Sequence, residues 1–117
     1  MHLPATPPSL DGVFDPDTFQ TMADALGAEA MKDVVARFDA EIGNRLSSLD
    51  QPAKDLSAHA HDLLNAAGMM GFTGFSAACR LLHDTVRRGE DHAAPLASLA
   101  VMRDRTRALI AGLLERA

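Results

Sequence analysis

The sequence contains no Trp, no Tyr, a single cysteine and only five Phe in 117 residues. Without indoles and phenols, an interior has to be filled by Leu, Ala, Met and Val, so an aliphatic core is predicted. The lone Cys79 excludes an intrachain disulfide framework and any thiolate-rich metal site, and it points to a reducing compartment. There is no run of about 18 apolar residues, and the opening MHLPATPPSLDGVF has too many prolines and no apolar centre for a signal peptide. A cytoplasmic protein that does not engage a membrane is therefore expected. A glycine-rich phosphate loop is also missing, which argues against a nucleotide pocket, and no segment alternates with period two, so strands are not predicted.

What is present fits one helical domain. Hydrophobic residues make up 47% and charged residues 23%, an ordinary soluble composition, and the length suffices for one core. The net charge of -5 is unevenly spread: residues 1–62 hold eleven acids and four bases, residues 63–117 five acids and seven bases. Nucleic acid would be repelled by the first half and meet only scattered arginines in the second, so a protein partner is expected.

Pro4, Pro7, Pro8 and Gly12 mark residues 1–14 as a mobile arm, leaving 15–117 as the domain. Asp15 before Pro16 reads as an N-cap with proline in the first helical position; Phe19, Met22 and Leu26 form the edge of a short helix that Gly27 stops. Met31, Val35, Phe38, Ile42 and Leu49 predict a long helix from Ala28 to about Leu49. After a connection between Asp50 and Asp55, a third helix carries Leu56, Ala60, Leu63, Ala67 and Met70 on one side and ends at Gly71, with Phe72 to Gly74 as the turn. Phe75, Cys79, Leu82 and Val86 give a fourth helix that closes with Arg87, Arg88 and Gly89. Leu96, Leu99, Met102, Thr106, Leu109 and Leu113 give a fifth, from about His92 to Glu115. The predicted fold is all-α: an antiparallel four-helix bundle with a short additional N-terminal helix.

At about 100° per residue, His61 lies roughly 140° from the core side of the third helix. Its neighbours on that face are Lys54, Ser57, Ala58, Asn65 and Gly68, all small except the lysine. An imidazole in such a depression has the clearance a reacting nitrogen needs for in-line approach by another molecule. His59 falls only roughly 60° from the core side and is expected to be a structural histidine against a neighbouring helix. Cys79 sits on a core stripe and reads as a buried hydrophobe. His83 and His92 are expected at surfaces or helix ends, and Arg103, Arg105 and Arg107 fan around the last helix as a solvated surface.

The stretch AHDLLNAAGMMGF followed by FSAACRLLHD resembles the histidine-containing phosphotransfer (HPt) domain of bacterial two-component phosphorelays. That family's pattern, His-x-Leu-Lys-Gly-(Ser/Ala)-(Ser/Ala)-x-x-x-Gly, is matched by His61, Leu63, Ala66, Ala67 and Gly71, and the likeness extends over the helical layout from Phe14 to Glu115. It implies that His61 is the phosphoacceptor, through its outer nitrogen Nε2, and relays a phosphoryl group between receiver-domain aspartates. The implied partners are receiver domains of response regulators or of a hybrid histidine kinase, which bring the magnesium ion. The chain itself is expected to be a monomeric phosphoryl carrier with no cofactor, no metal and no autokinase activity. The phosphate- and partner-proximal positions on this reading are Lys54, Ala58, Asp62, Leu64, Asn65, Gly68 and Gly71, with Met69 or Phe72 offering apolar contact. Two positions depart from the pattern, Leu64 in place of lysine and Asn65 in place of glycine. Loss of the lysine removes a partner for the phosphoryl charge, so Lys54, Asn65 or the receiver must balance it, and a labile phosphohistidine that Leu64→Lys would stabilise is expected.

Three other readings compete. HDLLN also resembles the start of the histidine box of sensor kinases through Asp62 and Asn65, although Ala66 stands where proline is usual and no ATP-binding domain follows; a dimeric kinase-like phosphotransferase is that alternative. A metal-binding bundle is disfavoured because His59 and His61 lie about 200° apart around the helix and cannot share an ion. A receiver-binding adaptor with an unreactive His61 is the third.

Overall fold

The computed structural model describes residues 12–116, and the part of the expected arm before residue 12 lies outside that range. The chain forms α1 (Pro16–Leu26), α2 (Ala28–Leu46), α3 (Ala53–Met69), α4 (Thr73–Arg87) and α5 (Ala93–Arg116), with no strand among the described residues. In the bundle α3 lies between α2 and α4, and α5 closes the ring by packing on α4 and α2, while α1 rests on α2 and on α3. Each main helix therefore buries one stripe against two neighbours.

Local chemistry explains the boundaries. The Asp15 carboxylate accepts the N–H of Asp17 at 3.1 Å and the Thr18 hydroxyl at 2.7 Å, while Pro16 fills the first helical position. Those bonds, the Thr18 hydroxyl foremost, hold the Asp15 carboxyl below its ordinary range. The second helix stops at Leu46, three residues short of the predicted Leu49. Its last carbonyls find partners outside the helix: Gln51 turns back to Arg45 O at 2.9 Å, and Arg103 of α5 donates to Leu46 O at 2.8 Å. Leu49 still packs on the core from the connection.

The predicted core stripe of α3 is buried along its whole length, together with Phe38, Ile42, Leu46, Phe75, Leu82, Leu99 and Ile110. Aromatics contribute more than composition implied. All five Phe join in one cluster: Phe72 stacks on Phe14 at 5.6 Å and on Phe38 at 5.8 Å, Phe19 meets Phe14 and Phe72 edge-on, and Phe75 meets Phe38. The cluster fastens α1 to α2 and to the α3–α4 turn. Few aromatics, gathered in one place, can secure a whole bundle end.

Residues 12–14, expected to belong to the mobile arm, are packed. Val13 is buried, Asp15 N–H donates to Gly71 O at 2.8 Å, and Gly74 N–H donates to Val13 O at 3.3 Å. Gly71 has φ +89°, and a Cβ there would stand 2.5 Å from Asp15 O; a Cβ at Gly74 would collide with Gly12 O and Met102 Sδ. These two glycines let the entering strand of chain cross the α3–α4 turn at backbone contact. On α5, Arg103 and Arg107 are not a solvated fringe: Arg103 caps α2 as above, and Arg107 donates to Asp39 at 2.9 Å, both tying α5 to α2. The Asp39 hydrogen bond raises the already high pKa of Arg107.

Candidate functional site

The centre of α3 carries two histidines with opposite surroundings. His59 is half-buried toward α2, where the Arg45 guanidinium, which can only donate, points at His59 Nδ1 from 3.3 Å. Arg45 also donates to Asp62 at 2.9 Å and pairs with Glu41. His59 is thus a structural histidine bonded to a neighbour, as its register predicts.

His61 is exposed, and the side chains on its face leave it clear: Ala58 one turn before, Asn65 one turn after, and Gly68 beyond. Between Gly68 and α4 runs a shallow groove of about 410 Å³ lined by Gly68, Thr73, Ser76, Ala77, Arg80 and Leu81. Ser76 sets its floor, donating its hydroxyl to Leu64 O at 2.8 Å and standing 3.5 Å from where a Gly68 Cβ would be. The imidazole therefore stands exposed on a helix face cleared of bulky side chains, with the groove opening two turns on at Gly68, and that clearance is the steric requirement for a transfer site.

The neighbour that sequence reading missed is His83. It is neither at a surface edge nor at a helix end. Its half-buried ring lies 4.6 Å from that of His61, centroid to centroid, with planes 33° apart. His83 Nδ1 is 2.8 Å from Ser57 Oγ and 3.3 Å from Ser57 O. A carbonyl can only accept, so the Ser57 contacts suit the tautomer with the proton on Nδ1, and Nε2 has no hydrogen-bond partner among the described residues. A signal for this pairing was present. Residues 61 and 83 stand eleven positions before and eleven after Phe72, the centre of a tight antiparallel turn, and so share one level of the α3–α4 hairpin.

The remaining expected site residues divide. Lys54 and Asn65 are exposed on the His61 side; Lys54 makes no ion pair among the described residues and lies about 10 Å along the axis from His61. Asp62 is exposed but committed to Arg45 on the α2 side. Leu64 is only 5% exposed and belongs to the core, because Ser76 and α4 close over it. A lysine there would have to snorkel out, which makes Leu64→Lys a poorer probe than the sequence implied. Gly71 serves the turn beneath Asp15, and Phe72 is wholly buried, whereas Met69 is 64% exposed and is available as an apolar contact. Ser57, read from sequence as a surface neighbour, is buried and spent on His83. The Cys79 thiol is buried, which pushes its pKa up to about 12 and removes it as a nucleophile. Among the described residues no cluster of three or more His, Cys, Asp or Glu is arranged to hold a metal ion, and no helix is long and apolar enough to cross a membrane.

Comparison with solved structures places this architecture. The chain superposes on the crystal structure of histidine-containing phosphotransfer protein B (HptB) from Pseudomonas aeruginosa PAO1 with a TM-score of 0.78. The match covers 89% of this chain and 96% of that one at 21% sequence identity, so the two share a fold. No protein-family model and no curated protein sequence matches the chain.

Proposed function

We propose that this protein is a histidine phosphotransfer protein that carries a phosphoryl group on His61 between receiver-domain aspartates of a two-component phosphorelay. The observation that carries this reading is an exposed, sterically cleared imidazole in the middle of α3, on a bundle with the fold of HptB. Neutral imidazole is a nucleophile at cellular pH and needs no strong base. In the proposed step the lone pair of a His61 ring nitrogen forms the P–N bond as the acyl P–O bond of an aspartyl phosphate breaks. The electron pair of that bond leaves with the carboxylate, and the proton on the other ring nitrogen stays, giving a phosphorylated imidazolium. Reversal onto a second receiver's carboxylate completes the relay. Magnesium belongs to the receiver on this reading, so the bundle has to supply clearance and orientation only.

The receiver docks over the outer face of α3 and α4. Ala58, Asn65 and Gly68 leave room for the approaching aspartate, and Met69 and Leu81, 64% and 47% exposed, offer the apolar contact of a modest, transient interface. A monomeric, cytoplasmic carrier without its own cofactor fits this scheme. The test is incubation with phosphoramidate, read by intact mass and phosphorus NMR, on the natural protein, His61→Gln and His59→Gln. One acid-labile phosphoryl group, absent only from His61→Gln, is the expected result; no adduct, or an adduct that follows His59, removes the proposal. A second reading, a receiver-binding adaptor without turnover, draws on the burial of Leu64 where the HPt pattern has lysine. Receiver binding without any phosphoryl uptake would select it.

A further inference from the structure

His61, once phosphorylated, carries a group with close to two negative charges, and α3 places no cation beside it: Leu64 is in the core and Lys54 is two turns away. What does stand beside it is the ring of His83, at 4.6 Å. Ser57, itself buried, holds His83 Nδ1 through both its hydroxyl and its carbonyl. The ring is therefore oriented, the Ser57 carbonyl assigns the proton of the neutral ring to Nδ1, and Nε2, unpartnered among the described residues, is the nitrogen left to meet a ligand. In the neutral ring that nitrogen presents a lone pair, which repels phosphoryl oxygens. In the cation it presents an N–H and a positive charge, the donor that phosphate oxygens bind most strongly.

We propose that His83 is the phosphate-binding residue of this protein: as the cation it donates Nε2–H to an oxygen of the phosphoryl group on His61. Retention of the phosphoryl group thereby becomes sensitive to pH. This rests on the phosphocarrier reading of His61 and adds regulation to the same site. No bond to phosphorus is made or broken by His83; its proton is shared with a phosphoryl oxygen and stays on the ring. The sign follows from the charge: the contribution is full where His83 is protonated and is lost as pH rises and the ring becomes neutral.

The other charged groups around His83 leave this dependence to the imidazoles. From α3 come His61 and Lys54, while Asp62 is turned away to Arg45. On α4 itself, Arg80 and Arg87 flank His83 by register, with Asp84 next in sequence and lining the groove with Arg80. α5 packs on α4 but sends Arg103 and Arg107 to α2; Asp104 pairs with Arg103, and Arg105 and Glu115 are exposed. His92 precedes α5, where its carbonyl accepts from Leu96. The arginines and the lysine attract the phosphoryl group equally from acid to mildly alkaline pH, so they supply a constant background.

Because protonation of the phosphorylated ring speeds its own hydrolysis in acid, the informative quantity is a ratio between variants. The experiment follows phosphohistidine decay by phosphorus NMR, after removal of phosphoramidate, in the natural protein, His83→Leu and His83→Gln at about pH 6 and about pH 8.5. The half-life of the natural protein should exceed that of His83→Leu by about three- to tenfold at the lower pH and approach it at the higher. His83→Gln, a neutral donor, should hold a constant advantage over His83→Leu at both. A natural-to-Leu ratio that is the same at the two pH values, whether or not it is unity, overturns the proposal. If circular dichroism shows His83→Leu to be unfolded, the natural-to-Gln ratio decides in the same way, since it too must fall with pH. Failure of the natural protein to take up any phosphoryl group overturns the reading of His61 itself, and this inference with it.

Discussion

The two flanks of α3 are built on opposite principles. Toward α2, polar groups are committed to one another: Arg45 holds Asp62, Glu41 and His59. Toward α4, the side chains are small, His61 is exposed, and the side-chain contact of Ser57 with His83 orients a ring instead of blocking it. Two histidines two positions apart thus differ in use because about 200° of helix rotation separates their neighbours.

The contrast is broken most completely at the histidines. His61→Gln should abolish phosphoryl uptake and His59→Gln should leave it intact, as intact mass after phosphoramidate treatment will show. Next in size is a contrast between glycines at the end of the same helix. Gly71→Ala places a Cβ 2.5 Å from Asp15 O in a backbone with φ +89°, and should cost about 2–3 kcal/mol in urea unfolding. Gly68→Ala meets only an ordinary 3.5 Å contact with Ser76 Oγ and should change stability by less than about 1 kcal/mol, while weakening receiver binding by narrowing the groove. A similar experiment on the α2 flank is Arg45→Ala. Its ion pairs are partly exposed, so about 1 kcal/mol or less should be lost, with phosphoryl uptake unchanged.

The remaining tests concern the effect of pH on the fold. Burial raises the Cys79 thiol from 9.0 to about 12, so the folded state favours the neutral form. Its contribution is complete below pH 9 and is lost as pH rises from there toward 12, which a series of alkaline urea titrations on natural protein and Cys79→Ala would display as converging stabilities. Asp15 has the opposite sign. Its lowered pKa makes the α1 cap a contribution present above the ordinary carboxylate range and lost as pH falls through the folded value, and the difference between natural protein and Asp15→Ala should vanish in acid.

Apolar spacing and punctuation were enough to read five helices, the core stripe of α3 and the outward direction of His61 from the chain alone, since a 3.6-residue period decides which side of a helix can be buried. Helix ends were less legible: α2 stops at Leu46 because a side chain from α5, 57 residues away in sequence, takes its last carbonyl. Ser57 read as surface from one helix considered singly and Leu64 as phosphate-proximal from the family pattern, and both are buried because a second helix lies over them. The gathering of five phenylalanines, the backbone crossing at Gly71 and Gly74, and the arginine links from α5 to α2 likewise depend on which helices become neighbours. The sequence by itself determined the fold class and which histidine faces out, because both follow from local periodicity. Tertiary structure alone decided that a second imidazole stands 4.6 Å from the first, because that distance is set by how α3 and α4 pack across their turn.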